Sequence, residues 1–304
     1  MTLILRKLSL ILCFFAFFVA MASPCTARQG GDDARQAKTR FVSVENAYLS
    51  DADFEGNRGS MAVLSSGVSI RPWKYTTIGY TFRNYTWGDT ARLGFGNRVD
   101  DPWKNLHGLY LGLGHMWRLN ETWSVFGGVF GYSGFEKQMD GSFGAGLRSG
   151  FGYTFENGLF VRLGASYFKD SVDNTVIPLF GIGFTPWADS LARSGWFASL
   201  GFPNTRIGYR FNPEWALWAQ YEWDRAAARL ADDSTVLPEG HIRQINALAT
   251  FAVQYQPAAD LMVSLGLIHA FGRTLHFYNK DGRVLGGLDL DNAFGGELEM
   301  RWAF

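Results

Sequence analysis

The chain has 304 residues, room for one large domain or two small ones, and its 28 Lys and Arg match its 28 Asp and Glu. That balance implies neither nucleic acid nor an acidic membrane surface as a partner. Charged residues are 18% and aromatics 16%, unusual for a chain solvated by water alone and natural for one partly solvated by lipid, while 36 glycines disfavour helices.

Residues 1–22 read as a secretory signal. Arg6 and Lys7 form its basic start, residues 8–19 are apolar, and Ala20 and Ala22 are the small residues before a cut at Ser23. A membrane anchor would need a longer apolar span, and Pro24 opposes a lipoprotein cut before Cys25. Loss of the leader removes Cys13, leaves the mature chain slightly acidic, and leaves at most one Cys, so no disulfide forms within the chain. Residues 23–39, polar around Gly30, Gly31, Asp32 and Asp33, are predicted to be a short periplasmic tail, too short for a plug domain. Beyond residue 22 no stretch approaches the roughly 18 apolar residues of a membrane helix. An exported chain of amphipathic strands spans a bilayer only by closing them into a barrel.

From there strand follows strand. Residues 40–50 are the predicted first and 61–70 return, with a turn at 71–74 around Pro72. Residues 76–87 rise with Ile78, Tyr80 and Phe82 on one face, and a loop holding Asp89, Arg92, Arg98, Asp100 and Asp101 follows. Leu109, Leu111, Leu113 and Trp117 then oppose Tyr110, Gly112, Gly114 and Arg118. Residues 123–135 form a strand with two apolar faces, which periodicity does not orient. Phe143, Ala145, Leu147, Phe151, Tyr153 and Phe155 share a face against a row of glycines and Arg148, and Asn157-Gly158 makes a hairpin turn into the strand bearing Arg162. Residues 176–184 descend, interrupted by Pro178, which a ladder tolerates poorly. Residues 196–202 and 205–211 read either as two short strands bent at Pro203 or as one long irregular one. Trp215, Leu217, Ala219, Tyr221 and Trp223 then oppose Glu214, Trp218, Gln220, Glu222 and Asp224. Residues 225–240 are a predicted loop in which 226–231 suit a short helix. Alternating strands at 245–255 and from 261 into 269–278 follow, then a loop at 279–283.

The last eleven residues alternate without a fault. Phe294, Gly296, Leu298, Met300, Trp302 and Phe304 lie on one side, and Gly295, Glu297, Glu299, Arg301 and Ala303 on the other. This resembles the terminal strand of bacterial outer-membrane β-barrels, in which a final Phe and alternating large residues are read by the barrel-assembly machinery. The competing reading is a soluble sheet edge. On that resemblance Leu298, Met300, Trp302 and Phe304 are the expected assembly signal. Short turns alternating with longer charged connections, and Trp and Tyr near strand ends, agree with it. The whole mature chain is similar to porin-like outer-membrane β-barrels of Gram-negative type, families without an assigned substrate. The expected fold is all-β: a single-domain transmembrane antiparallel β-barrel over 40–304, with about 12 strands, 14 if 185–211 holds two. Both ends would be periplasmic. The bilayer lipid, lipopolysaccharide, the assembly machinery and small solutes are its implied partners.

Strands about 4.8 Å apart and tilted roughly 40° give a 12-stranded backbone diameter of about 24 Å. Inward side chains narrow that lumen, and the glycine faces at 112–114 and 144–152 are expected to restore some width. Arg118, Arg148, Arg162, Arg206, Arg210, Glu214, Glu222, Asp224, Glu297, Glu299 and Arg301 are the expected lumen-lining charges. They act either as a transverse field that filters solutes or as pairs that keep the interior wet and neutral. Arg206 and Arg210, flanking Gly208, suggest a basic strip. None of His107, His115, His241, His269 or His276 is followed two residues later by the Ser that outer-membrane acyl hydrolases pair with, so an enzyme is disfavoured. His276, near the outer rim, is the least easily dismissed. Asp51, Asp53 and Glu55 lack the glycine and spacing of a Ca²⁺ loop, and no cofactor motif appears. The expected function is passive passage of small solutes. Its rivals are a structural or surface-interaction barrel and a hydrophobic-compound transporter, the latter usually carrying an N-terminal hatch. An autotransporter translocator would need a passenger ahead of the barrel.

Overall fold

The computed structural model describes residues 40–56, 58–184 and 194–304. The predicted signal at 1–22, the predicted tail at 23–39 and residues 185–193 lie outside the described residues. The strands in order are β1 (Phe41–Asp53), β2 (Ser60–Trp73), β3 (Thr76–Gly88), β4 (Asn105–Arg118), β5 (Trp123–Phe135), β6 (Phe143–Thr154), β7 (Leu159–Lys169) and β8 (Asn174–Phe184). They continue as β9 (Gly195–Phe202), β10 (Asn204–Arg210), β11 (Trp215–Arg229), β12 (His241–Ala258), β13 (Leu261–Tyr278), β14 (Val284–Leu290) and β15 (Ala293–Ala303).

From β1 to β13 each strand is antiparallel to its predecessor. β14 and β15 both lie against β13, along Arg273–Tyr278 and Leu261–Ala270 respectively, so they are two parts of one descending run. β15 also pairs with β1, from Phe41↔Ala303 to Leu49↔Gly295, and this closes the barrel. The wall has 14 strands with β14 outside the count, not 12. The two extra strands are β9 and β10, which pair as a short hairpin from Arg206↔Ser199 to Arg210↔Gly195 with Pro203 at its tip. On the arithmetic used above, 14 strands give a diameter of about 28 Å.

Alternation sets the wall's two faces. Leu64, Val68, Ile78, Leu111, Val129, Leu147, Phe180, Ile182, Leu200, Phe251, Leu265 and Leu298 all point outward and are exposed. Trp73, Trp117, Trp123, Trp196, Trp215 and Trp302 ring the end that carries Phe41 and Ala303. An apolar belt edged by aromatic rings suits a hydrocarbon layer, where every backbone polar group must find its partner inside the wall. Asparagines make the tight turns at this end. The Oδ1 atoms of Asn120, Asn157 and Asn212 accept backbone N–H bonds from Trp123, Leu159 and Trp215 at 2.7, 3.1 and 2.8 Å.

The strand that periodicity left unoriented, β5, turns Val125 and Val129 outward and Phe126, Phe130 and Tyr132 inward. Those rings lie flat over the glycines of β6 and β7: a Cβ at Gly150 or Gly164 would meet the Phe126 ring, and one at Gly146 the Phe130 ring. The glycine faces therefore seat aromatic rings instead of widening the lumen.

At the opposite, long-loop end, β11, β12 and β13 run for 15, 18 and 18 residues. About 9–11 suffice to cross a bilayer, so they continue past the wall and lean over the mouth. Residues 226–229 belong to β11 and form no helix, because β12 pairs with them through Arg229↔His241. The end of β11 crosses to β5: the Glu136 N–H donates to the Arg229 carbonyl at 2.9 Å. Gly134 passes under Ala227 so closely that any Cβ there would collide with the Ala227 carbonyl. Beneath this crossing Phe54, Met61, Leu93, Trp103, Leu230 and Leu275 are 0–1% exposed, a core between the ends of β1–β4 and those of β11–β14. Trp87 Nε1 donates to the Trp103 carbonyl at 2.6 Å, and the two rings meet edge to face at 4.8 Å.

Gly134→Val should pry β11 off β5 while leaving the lower wall intact. The expected result is cleavage within 230–240 by external protease several-fold faster than in the wild type, with heat-modifiable gel mobility retained.

Candidate functional site

Below the crossing the lumen is hollow. A cavity of about 990 Å³ and one of about 420 Å³ adjoin there, with Glu45, Gly67, Thr81, Arg83, Glu222 and Gln244 in the walls of both. The smaller part is acidic. Glu45, Glu222, Asp224, Glu297 and Glu299 face Arg83 and Arg206. Glu45 and Glu299 are direct cross-strand neighbours on β1 and β15. Like charges placed opposite each other destabilise a sheet, so this pair is a local cost. Arg83 answers it only in part, at 3.7 Å from Asp224. A polar chain spans the lumen from β3 to β12 and β11: Tyr85 Oη donates to Gln244 at 3.2 Å, Gln244 to Asn246 at 3.4 Å, and Asn246 to Asp224 at 3.1 Å.

The larger part reaches the side of β5, β7 and β8, where a buried ion cluster holds the rim. Asp170, just after β7, lies 3.5 Å from Arg225 of β11 and 3.4 Å from Arg243 of β12. Arg225 Nη1 donates to Thr175 Oγ1 at 2.9 Å, and Arg243 Nη1 to Tyr278 Oη at 2.8 Å. Both guanidiniums also face rings: Arg225 stands 4.7 Å from the Phe168 centroid and Arg243 4.9 Å from that of Tyr278. On the loops outside the wall, Lys137 donates to Asp233 at 2.8 Å, and that hydrogen bond holds the Asp233 carboxyl below the usual range.

The charges picked out from alternation are distributed unevenly. Glu222, Asp224, Glu297, Glu299 and Arg206 line the acidic part, and Arg148 lines the larger part. Arg206 donates from Nε to Gln220 at 2.7 Å and rides 4.2 Å over Trp218. Arg210 instead donates to the Pro213 carbonyl at 3.0 Å in the turn, so the two find different partners. Arg162 stacks on Phe160 at 4.6 Å and Arg301 on Phe41 at 3.9 Å. Arg118 is the exposed last residue of β4, and Glu214 sits in the turn ahead of β11. Leu298, Trp302 and Phe304 are exposed on the outer face, and the Phe304 N–H donates to the Arg40 carbonyl at 3.0 Å.

Periodicity missed Glu45, Arg83, Asp170, Arg225 and Arg243. The first two were legible, since Glu45 alternates with Ser43 and Ala47, and Arg83 with Thr81 and Tyr85. The other three depend on the lean of β11, which turns its outward-numbered face toward β7.

Among the described residues no Ser hydroxyl hydrogen-bonds to any of the five His. His107 Nδ1 meets Tyr80 Oη at 2.8 Å, His241 Nε2 the Gly141 carbonyl at 3.2 Å, and His269 stacks on Phe294 at 4.5 Å. His115 stands edge-on to Tyr75 at 4.4 Å, and His276 lies beside Gly287. Asp51 accepts from Ser60 Oγ at 2.7 Å.

Asp170→Ala would leave Arg225 and Arg243 with only the more exposed carboxylate they share, Asp173, at 3.8 and 3.4 Å. The expected loss is about 3 kcal/mol of unfolding free energy, read by denaturant titration of the refolded barrel.

No protein-family model matches the chain, and no curated protein matches it. Similar solved structures include an outer membrane channel from Pseudomonas putida F1, at 10% identity and TM-score 0.42, covering 91% of this chain and 100% of that one. A KdgM porin matches at 8% identity and TM-score 0.37, covering 86% and 99%. The Pseudomonas putida toluene transporter TodX matches at 11% and 0.33, covering 93% of each. The closed wall and its apolar outer belt are those of a membrane-spanning antiparallel β-barrel.

Proposed function

We propose that the barrel passes small polar solutes across the outer membrane, with cations favoured over anions. One observation carries this reading: two adjoining cavities lie inside a barrel with an apolar outer face, and the smaller is walled by five carboxylates met by two guanidiniums. Rings of acidic side chains lower the barrier for cations and raise it for anions. The long-loop end is then the outer one, and the end with Phe41 and Ala303 periplasmic. A second reading, a barrel that does not transport, draws support from the packed core under the β11 crossing, which fills one side of the mouth.

Planar-bilayer recording of the refolded protein separates the two. Stepwise openings with potassium more permeant than chloride are expected, and their absence at high protein load favours the non-transporting barrel. Replacing Glu45, Glu297 and Glu299 together by Gln should bring the permeability ratio several-fold closer to unity, measured as a reversal potential in a salt gradient.

Phe304 and the outward residues before it are also proposed as the assembly signal. Phe304→Ala should lower the yield of heat-modifiable barrel in cells several-fold, while refolding of the same variant from urea into detergent stays close to wild type.

A further inference from the structure

The ladder that closes the wall is incomplete at one place. β8 has 11 residues, about the length that spans a bilayer, so all of it below the rim at Asp170 and Thr175 lies at membrane depth. β9 pairs with it only from Phe180 to Phe184, because the β9–β10 hairpin turns back at Pro203. On the other side β10 reaches β11 only up to Asn204↔Glu222, and the Trp223 N–H takes the Pro203 carbonyl at 3.1 Å. Above the hairpin tip, no strand of the described residues lies between residues 174–179 of β8 and the end of β11. β11 leans away toward β5, and the two edges are bridged by Arg225, which reaches Thr175 and Asp170. Pro178 stands on this edge, where its missing N–H costs no bond to β9.

A non-helical edge at membrane depth persists only where it is buried in protein or borders a wet cavity. Here it borders one: Ile177, Leu179, Pro203 and Trp223 are walls of the 990 Å³ cavity. Those four side chains are apolar, and the lipid face beside them is continuous with Val176 and Phe180, 66% and 53% exposed. Further in, the cavity is faced by the Phe130, Tyr132 and Phe168 rings.

We propose that this slot between β8 and β11 is a lateral passage, through which small apolar molecules, flat aromatic ones above all, move between the interior cavity and the bilayer. It rests on the hollow lumen proposed above but uses a different exit, so polar and apolar solutes part company inside the barrel. The triangle between β8, the hairpin tip and the Arg225 side chain sets the size limit, and Trp223 lies on its edge.

The test uses the full chain in outer membranes of cells, with 1-N-phenylnaphthylamine as the apolar probe and its fluorescence rise as the entry rate. Ile177→Trp with Leu179→Trp, which fills the slot, should return entry to the rate of cells without the barrel. Trp223→Ala should raise entry several-fold. Potassium conductance of the same purified variants is recorded beside entry, and in the filled variant entry should fall several-fold further than conductance, because the slot opens on the cavity wall and the acidic band lies elsewhere. Entry unchanged in both variants overturns the passage, as does a parallel fall of conductance and entry in the filled variant, which would place the block in the lumen. If the filled variant lacks heat-modifiable mobility, Trp223→Ala decides alone, and entry no faster than wild type overturns the proposal. A wild type that carries no current, yet admits the probe in a slot-dependent way, removes the polar channel and leaves the passage standing.

Discussion

Everything in this structure answers one demand: inside hydrocarbon no water is present to take a backbone N–H or C=O, so the wall must satisfy its own. The β1–β15 seam meets that demand where the two ends of the chain come together, and it fixes the register of every strand between. Because the side-chain period is two, a one-residue slip of β15 at the seam would send Glu299 into lipid and Met300 into the lumen. The acidic band and the apolar belt are thus two faces of one register. Strength of individual contacts matters less here than their arithmetic around the ring.

The lean of β11 is the main departure from a plain cylinder. Its last residues leave the wall, cross to β5, and change what each face sees: Arg225 would meet lipid if the strand stood upright, and instead meets Asp170. A pair of buried guanidiniums is tolerable only with such partners. The same lean draws β11 away from β8, so the packed mouth on one side and the unpaired edge on the other have one cause. Glycine at 134 permits the crossing, and the short β9–β10 hairpin leaves room for it.

Much of the wall was legible before any coordinates. Strict alternation in β15, β6 and β7 gave both faces, and turn asparagines marked the ends. What could not be read was whatever depended on a strand meeting something other than its sequence neighbour. Residues 226–229, three alanines and an arginine, carry helix propensity, yet β12 supplies a ladder partner for each and overrides it. The strand count turned on Pro203, where a bend within one strand and the tip of a hairpin look alike in a single sequence. The inner glycines read as empty space, since nothing local says that Phe126 and Phe130 of the preceding strand lie across them. Arg148, Arg206, Glu222, Asp224, Glu297 and Glu299 could be named from parity, whereas Asp170, Arg225 and Arg243 are joined only by the fold.

The hydrogen bond from Phe304 to Arg40 makes residues 40 and 304 immediate neighbours across the seam. A ring of strands has no intrinsic beginning, so the wall would be indifferent to where the polypeptide is cut. Linking those two positions by a short loop and opening the chain at the Asn120 or Asn212 turn would yield circular permutants with the same cylinder. Such a permutant would keep every ladder bond of the wall and place Phe304 inside a loop, so it separates closing the ring from the assembly role proposed for that aromatic.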